Sequence, residues 1–308
     1  MSHSFIQQDD VQKLLRESAG LNGSEGNERF KSIIHRLLGD ICTLIDDYNV
    51  TQEEFWHAVN YLHELGGRQE AALLAAGLGL EHFLDLRQEA IESRPSAETG
   101  TPRTIEGPLY VANAPLADGY ARMDDGKDAG EVMWLHGQVR DVHGQPVAGA
   151  IVDIWHANTL GNYSFFDQSQ SDYNLRRRIR TDAEGRYSVR SILPSGYGCP
   201  PDGPTQKLLD QLGRHGNRPA HIHFFVSAPG FKHLTSQINL SGDQYLWDDF
   251  AFATRDGLIA DPVKISDPAL IQQRDLAGEH TEVCFDFTLC AAQCAEEEQR
   301  ITRLRAQE

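Results

Sequence analysis

The sequence predicts an α+β fold: an N-terminal helical domain over residues 1–100, followed by an antiparallel β-sandwich domain over residues 101–308. Two observations carry this. Apolar residues recur at helical spacing up to about residue 92, and beyond residue 102 the spacing becomes two, in short runs separated by turns. Between the halves runs a polar stretch, Ser93 to Pro102 (SRPSAETGTP). There Pro95 cannot continue a helix, and Gly100 and Pro102 discourage a new one.

In the first half, Phe30, Ile33, Ile34, Leu37, Leu38 and Ile41 fall on one helix face. Thr51-Gln-Glu-Glu54 is a capping box, and the helix it opens should stop at Gly66-Gly67. Glu70 to Glu92 carries Leu73, Leu74, Leu78, Leu80, Phe83 and Leu84, more apolar surface than a few short helices bury alone. That surface is expected to pack on the second domain or on a second copy, giving a homodimer with a helical interface.

In the second half, Val132 to Val139 reads as a strand that turns at Asp141-Val-His-Gly144, and Ala150 to His156 as a core strand. Thr181-Asp-Ala-Glu-Gly185 is a turn before the alternation Tyr187, Val189, Ser191. Pro219 to Val226 and Thr281 to Leu289 complete the set.

The chain has 308 residues, with 28 Lys+Arg against 45 Asp+Glu, a formal net charge of -17. Such a surface repels phosphate polyanions, which argues against nucleic acid and anionic membranes as partners. The longest run of low polarity, Ala71 to Leu80, is about half a membrane span, so no membrane insertion is expected. MSHSFIQQDD lacks the basic and apolar regions of a secretory signal. Five cysteines without a CxxC pair read as reduced thiols, and Cys290 and Cys294, at helical spacing, as ordinary ones; the expected location is cytoplasmic. One basic island, Arg176-Arg177-Arg178 with Arg180, reads as a solvated or ion-paired face, or as a local attractor of anions.

The nucleotide-binding, zincin and α/β-hydrolase motifs are absent. What remains is Arg218-Pro-Ala-His221-Ile-His223. On a strand, His221 and His223 share a face while Ile222 and Phe224 pack the other way. Two imidazoles on an otherwise apolar strand need satisfaction, from a metal or from hydrogen bonds within the core. His215 or His233 would complete a three-histidine zinc site, as in a zinc hydrolase. The other candidate ligands are tyrosines in glycine-containing loops, Gly161-Asn-Tyr163 and Pro194-Ser-Gly-Tyr197-Gly198. A phenolate suits iron(III), and a phenol of pKa about 10 ionises near neutrality only beside a strong cation.

Six ordered motifs resemble the intradiol ring-cleavage dioxygenases over nearly the full chain. They are Thr101-Pro-Arg-Thr-Ile-Glu-Gly-Pro-Leu-Tyr110, Asp153-Ile-Trp-His-Ala-Asn158, Leu175-Arg-Arg-Arg178, Pro194-Ser-Gly-Tyr-Gly198, Arg218-Pro-Ala-His-Ile-His223 and Tyr245-Leu-Trp-Asp-Asp-Phe250. Within the family the likeness is to the members that act on catechol itself.

The resemblance implies one non-haem iron(III) per subunit held by Tyr163, Tyr197, His221 and His223 with a hydroxide. It implies ortho cleavage of catechol by O2 to cis,cis-muconate, a step of the β-ketoadipate pathway. Tyr197 would be the tyrosine that leaves the metal and takes a substrate proton. Arg218 would stabilise negative charge on the ring, or, more plainly, be half of a structural ion pair; Gln237 would stand near the carbonyl-forming edge. Leu73, Ala76, Ile105, Pro108, Leu109, Phe250 and Ala251 would line the ring pocket, with the small Ala76 leaving room for methylcatechols. Chlorocatechols or hydroxyquinol are the alternative substrates. Family members dimerise through the N-terminal helices, and some hold a phospholipid in an apolar tunnel at that interface.

Overall fold

The structure, a computed structural model, describes residues 5–92 and 99–299, so residues 93–98 of the polar stretch lie outside the described residues. By its contacts the chain forms two compact units, the first ending at Gly67 and the second beginning at Arg68.

The first unit contains α1 (Asp9–Ser18), α2 (Glu28–Asp47) and α3 (Gln52–Gly67). Asn27 caps α2 by accepting the Phe30 amide at 2.9 Å. The capping box forms as the sequence suggests: Thr51 Oγ1 accepts the Glu54 amide at 3.2 Å and Glu54 Oε2 accepts the Thr51 amide at 2.8 Å. These bonds hold the Glu54 carboxyl below its ordinary range. α3 ends at Gly66-Gly67 as expected. Along α2 the apolar stripe is open, with Phe30 63% and Leu44 55% exposed and Ile33, Leu37 and Ile41 also exposed.

The second unit begins with α4 (Ala71–Gly77) and α5 (Leu80–Glu92), separated at Gly79, which has φ +73°. Glu70 accepts the Thr205 amide at 3.0 Å, Glu89 pairs with Arg255, Asp85 pairs with Arg103 at 3.2 Å, and the Gly77 carbonyl accepts Arg214 Nη1 at 2.7 Å. The contact division therefore falls at Gly67, ahead of the change of periodicity near residue 100. Helix spacing marks the element type, whereas these side chains decide which unit the helices join.

Fourteen strands and two short helices follow: β1 (Leu116–Asp118), β2 (Tyr120–Arg122), β3 (Val132–Asp141), β4 (Ile151–His156), β5 (Arg176–Arg180), β6 (Arg186–Ile192), β7 (Tyr197–Gly198), α6 (Pro204–Gln211), β8 (Asn217–Arg218), β9 (His221–Ser227), β10 (Leu234–Leu240), β11 (Ile259–Ala260), β12 (Val263–Ile265), α7 (Pro268–Gln273), β13 (His280–Cys284) and β14 (Phe287–Leu289). One sheet has the order β1-β5-β4-β9-β10-β11 and the other β12-β13-β3-β6-β2, with β14 also on β3. β5-β4-β9-β10 and β3-β6 are antiparallel, as the sandwich reading expects; β1, β2, β11, β13 and β14 add parallel pairs. Leu135, Ile154, Val189, Ile222, Phe224, Val226 and Phe287 fill the space between the sheets.

Two expectations are corrected. The run 281–289 is two strands, because the Phe285 carbonyl enters β3 at Gly137, where a Cβ would lie 1.7 Å from it. Cys290 and Cys294 lie off any helix, and all five cysteines are free, as the reading of ordinary reduced thiols expects. Arg176 is no surface cation: it is 1% exposed and donates Nε to Ser164 Oγ at 2.9 Å.

Phe224, fully buried, meets Phe287 edge-on at 4.9 Å directly behind the histidine face of β9. Phe224→Ala should lower the unfolding free energy by about 3–5 kcal/mol in denaturant titration; a loss below about 1 kcal/mol would contradict the packing described.

Candidate functional site

The site is built on the outer face of the first sheet. Strand alternation on β9 sends Ile222 and Phe224 into the core and leaves His221, His223 and Phe225 on the other side. Register then sets the neighbours: Trp155 of β4 lies beside His223, Gln237 of β10 lies opposite it, and Asn239 stands opposite His221. The short β7-β8 pair places Tyr197 opposite Arg218. Tyr163 comes from the loop after β4. Gly161, with φ +80°, lets that loop approach Tyr197, since a Cβ there would lie 2.5 Å from Tyr197 Cβ.

These elements bring four side chains together. His221 and His223 face each other through their Nε2 atoms at 3.1 Å. His221 Nδ1 bonds the Pro219 carbonyl at 2.6 Å, which makes Nδ1 the protonated nitrogen and leaves a lone pair on Nε2. Tyr197 Oη lies 3.4 Å from the same Nε2, and the Tyr163 ring stands edge-on to the Tyr197 ring at 5.7 Å. Trp155 stacks on His223 at 4.9 Å with the planes 4° apart. Tyr163 Oη is buried and makes no hydrogen bond of good geometry.

Burial raises the Tyr163 pKa well above 10, with the Tyr197 phenol adding to it. It pushes His221 down to about 3 and His223 well below its ordinary value, helped by Arg218 beside His221 and by His221 beside His223. Both imidazoles are therefore neutral donors of lone pairs at physiological pH. An enclosed phenol without a partner, a second phenol and two facing lone pairs form a donor set that a hard, highly charged cation satisfies. The residues fit such a metal. The three-histidine alternative does not form: His215 bonds Asp248 and the Asn217 amide, His233 packs on Phe225, and among the described residues no three His, Cys, Asp or Glu side chains converge.

Two buried cations flank the cluster. Arg218 donates Nε and Nη2 to Asp249 at 3.2 and 3.1 Å, Nη2 to Gln237 Oε1 at 2.8 Å, and holds Nη1 at 3.0 Å from His221 Nε2. Burial opposes its charge, but Asp249 and the tyrosines outweigh that and raise its pKa. Arg176 lies 5.7 Å from the Tyr163 ring centre; burial pushes it down to about 10, so it remains charged at neutrality. Asp249 and Trp155 lie within two of the family-like motifs, yet strand and loop composition alone give neither a role apart from that of an ordinary core residue.

Of the expected pocket residues, Ala76, Ile105, Phe250 and Ala251 form one buried cluster with Leu73 at its edge. Leu109 packs instead with Tyr110, Trp155 and Tyr163, beside Tyr197. Pro108 is half-buried and follows Gly107, whose φ of +72° brings the backbone to His223; a Cβ there would lie 3.4 Å from His223 Cε1.

His156, at the end of β4, bonds the Ala157 carbonyl and Ser191 Oγ, both at 2.7 Å, and burial pushes it down to about 4. An unfolded histidine titrates near 6.5, so between these values the unfolded chain binds a proton the folded chain refuses. Its contribution is complete above about pH 6.5 and is lost as pH falls toward 4, a span of about 2.5 pH units worth roughly 3 kcal/mol. His156→Gln should make the decline of stability between pH 7 and 4.5 shallower in denaturant titrations; an unchanged slope would contradict the buried neutral imidazole.

Residues 105–291 match the family model described as Dioxygenase, and residues 27–95 the one described as Catechol dioxygenase N terminus. A catechol 1,2-dioxygenase of Acinetobacter baylyi is 56% identical over 283 residues, 91% of each chain. The crystal structure of catechol 1,2-dioxygenase from Pseudomonas arvilla C-1 superposes with a TM-score of 0.95 at 59% identity, covering 99% of both chains. A hydroxyquinol 1,2-dioxygenase of Rhizobium and a chlorocatechol 1,2-dioxygenase of Cupriavidus pinatubonensis are 36% and 34% identical, over 85% and 76% of this chain.

Proposed function

The chain belongs to the intradiol ring-cleavage dioxygenase family, and on that premise we propose that it cleaves catechol with O2 between the two hydroxylated carbons to give cis,cis-muconate, a step of aromatic catabolism in the β-ketoadipate pathway. The observation that carries the reading is the grouping of Tyr163, Tyr197, His221 and His223 beside the buried cation of Arg218. Catechol is favoured over chlorocatechols and hydroxyquinol because the relatives named for it are far more similar.

The family implies a non-haem iron, and the proposed form is one iron(III) per chain held by Tyr163, Tyr197, His221 and His223. When bound, iron(III) supplies the electron-accepting centre that lets a singlet catecholate ring react with triplet oxygen. The protein's own residues do the rest. Tyr197, half-buried, takes up a hydroxyl proton of the substrate at Oη. Arg218 stabilises negative charge on the ring as a hydroxyl becomes a carbonyl, and it needs no reorientation because Asp249 and Gln237 already hold it. Gln237 stands near the carbonyl-forming edge. Leu73, Ala76, Ile105, Pro108, Leu109, Phe250 and Ala251 line the ring pocket and keep water from it, and Ala76 leaves room for a ring methyl.

The working assembly is proposed to be a homodimer through the N-terminal helices. The exposed stripe Phe30, Ile33, Leu37, Ile41 and Leu44 on α2 supports this, and it is apolar enough to receive phospholipid chains. No described helix is long and apolar enough to cross a membrane. The five free cysteines support a cytoplasmic setting.

The purified protein should show the broad visible band of tyrosinate bound to iron(III), shifted to longer wavelength by anaerobic catechol. Tyr163→Phe should lose most of that band and of its iron; a colourless protein with stoichiometric zinc would overturn the assignment. Phe30→Asp combined with Leu37→Asp should sediment as a monomer where the unaltered chain is a dimer, and an unchanged sedimentation coefficient would move the interface elsewhere.

A further inference from the structure

Arg218 is oriented by a residue that belongs neither to the metal-ligand set nor to the ring pocket. The Asp249 side chain is 1% exposed and lies just before Phe250. Its Oδ1 accepts Arg218 Nε at 3.2 Å and its Oδ2 accepts Arg218 Nη2 at 3.1 Å. The same Oδ1 accepts the amide of Ala251 at 3.0 Å. A two-point contact fixes the guanidinium plane as well as its position, which a single acceptor such as Gln237 Oε1 cannot do alone. Both partners are buried, so water does not replace either one. Burial alone would raise the Asp249 pKa, yet Arg218 and the Ala251 amide hold it below the ordinary carboxylate value.

Resting on the function proposed above, we propose that Asp249 is a positioning residue for ring cleavage. It sets the plane of Arg218, and by binding Ala251 it joins that cation to the apolar wall formed by Phe250 and Ala251. Cation and wall thus meet the substrate ring in one fixed relation. Asp249 acts only through Arg218 and the Ala251 backbone. Asparagine in its place keeps one acceptor and turns an NH2 group toward an Arg218 N–H, so the two-point contact is lost while the side-chain volume is kept. Glutamate keeps the charge but displaces the carboxylate by one methylene.

The test places Asp249→Asn and Asp249→Glu in the unaltered chain, and Asp249→Asn also in an Arg218→Gln background. Catechol turnover, iron content, the visible band and melting temperature are measured for each. Asp249→Asn should lower kcat about 100-fold with KM changed less than about 3-fold, at unchanged iron content and band. Asp249→Glu should fall between Asp249→Asn and the unaltered chain, and it carries the kinetic test if Asp249→Asn does not fold. In the Arg218→Gln background the same Asn substitution should change kcat less than about 3-fold, because the group it positions is gone. Equal losses in both backgrounds, an unaffected kcat, or a loss that follows iron content would overturn the proposal. If the unaltered chain leaves catechol intact, the function proposed above fails. The melting temperatures then still decide the contact: non-additive effects at 218 and 249 uphold it, and additive effects overturn it.

Discussion

The two-residue period of β9 is the constraint on which the rest of the structure depends. Because alternate side chains leave a strand on opposite sides, one segment serves the core and the site at once. Ile222, Phe224 and Val226 lock into the space between the sheets, so His221 and His223 cannot move without disturbing the most buried part of the molecule. A one-residue slip of β9 against β4 or β10 would turn both imidazoles into the apolar core. The neighbours at the same level, Trp155 and Gln237, are fixed by the same register, and the site inherits the rigidity of a sheet rather than of a loop.

A second consequence follows from how charge is arranged around that face. Two arginines, two phenols and two imidazoles are enclosed together, yet only Asp249 among the contacts of Arg218 carries a full negative charge. Arg218 and Asp249 neutralise one another, which makes their burial tolerable, and Arg176 relies on Ser164, the face of Tyr163 and the nearby buried carboxylate of Asp153. Each buried cation thus has a carboxylate near it, while the imidazoles between the strands stay neutral.

Much of this was legible from the residues. The capping box at Thr51 and Glu54, the stop at Gly66-Gly67 and the shared face of His221 and His223 each rest on a local rule, and local rules survive folding. Long-range choices were less visible. Helices α4 and α5 belong with the second unit because Glu70, Asp85 and Glu89 find partners more than 15 residues away in sequence, which periodicity does not report. The break between β13 and β14 depends on one carbonyl entering at Gly137, a feature of the partner strand. Arg176 looks in sequence like a surface arginine in a basic run, and only the β4-β5 pairing, which sets it opposite Trp155, shows that it faces the buried side.

The two tyrosines show how differently one fold can surround identical side chains. Tyr163 is enclosed: its ring lies under Arg176, its oxygen has no hydrogen bond of good geometry, and burial raises its pKa well above 10. In the proposed reaction it is the constant ligand, and the charge of the metal would have to hold it ionised against that burial. Tyr197 sits on the two-residue strand β7, opposite Arg218 and half-exposed, with its oxygen beside His221 Nε2. In the proposed reaction the exchanging tyrosine is Tyr197, the less enclosed of the two phenols and the one that faces Arg218 across the β7-β8 pair.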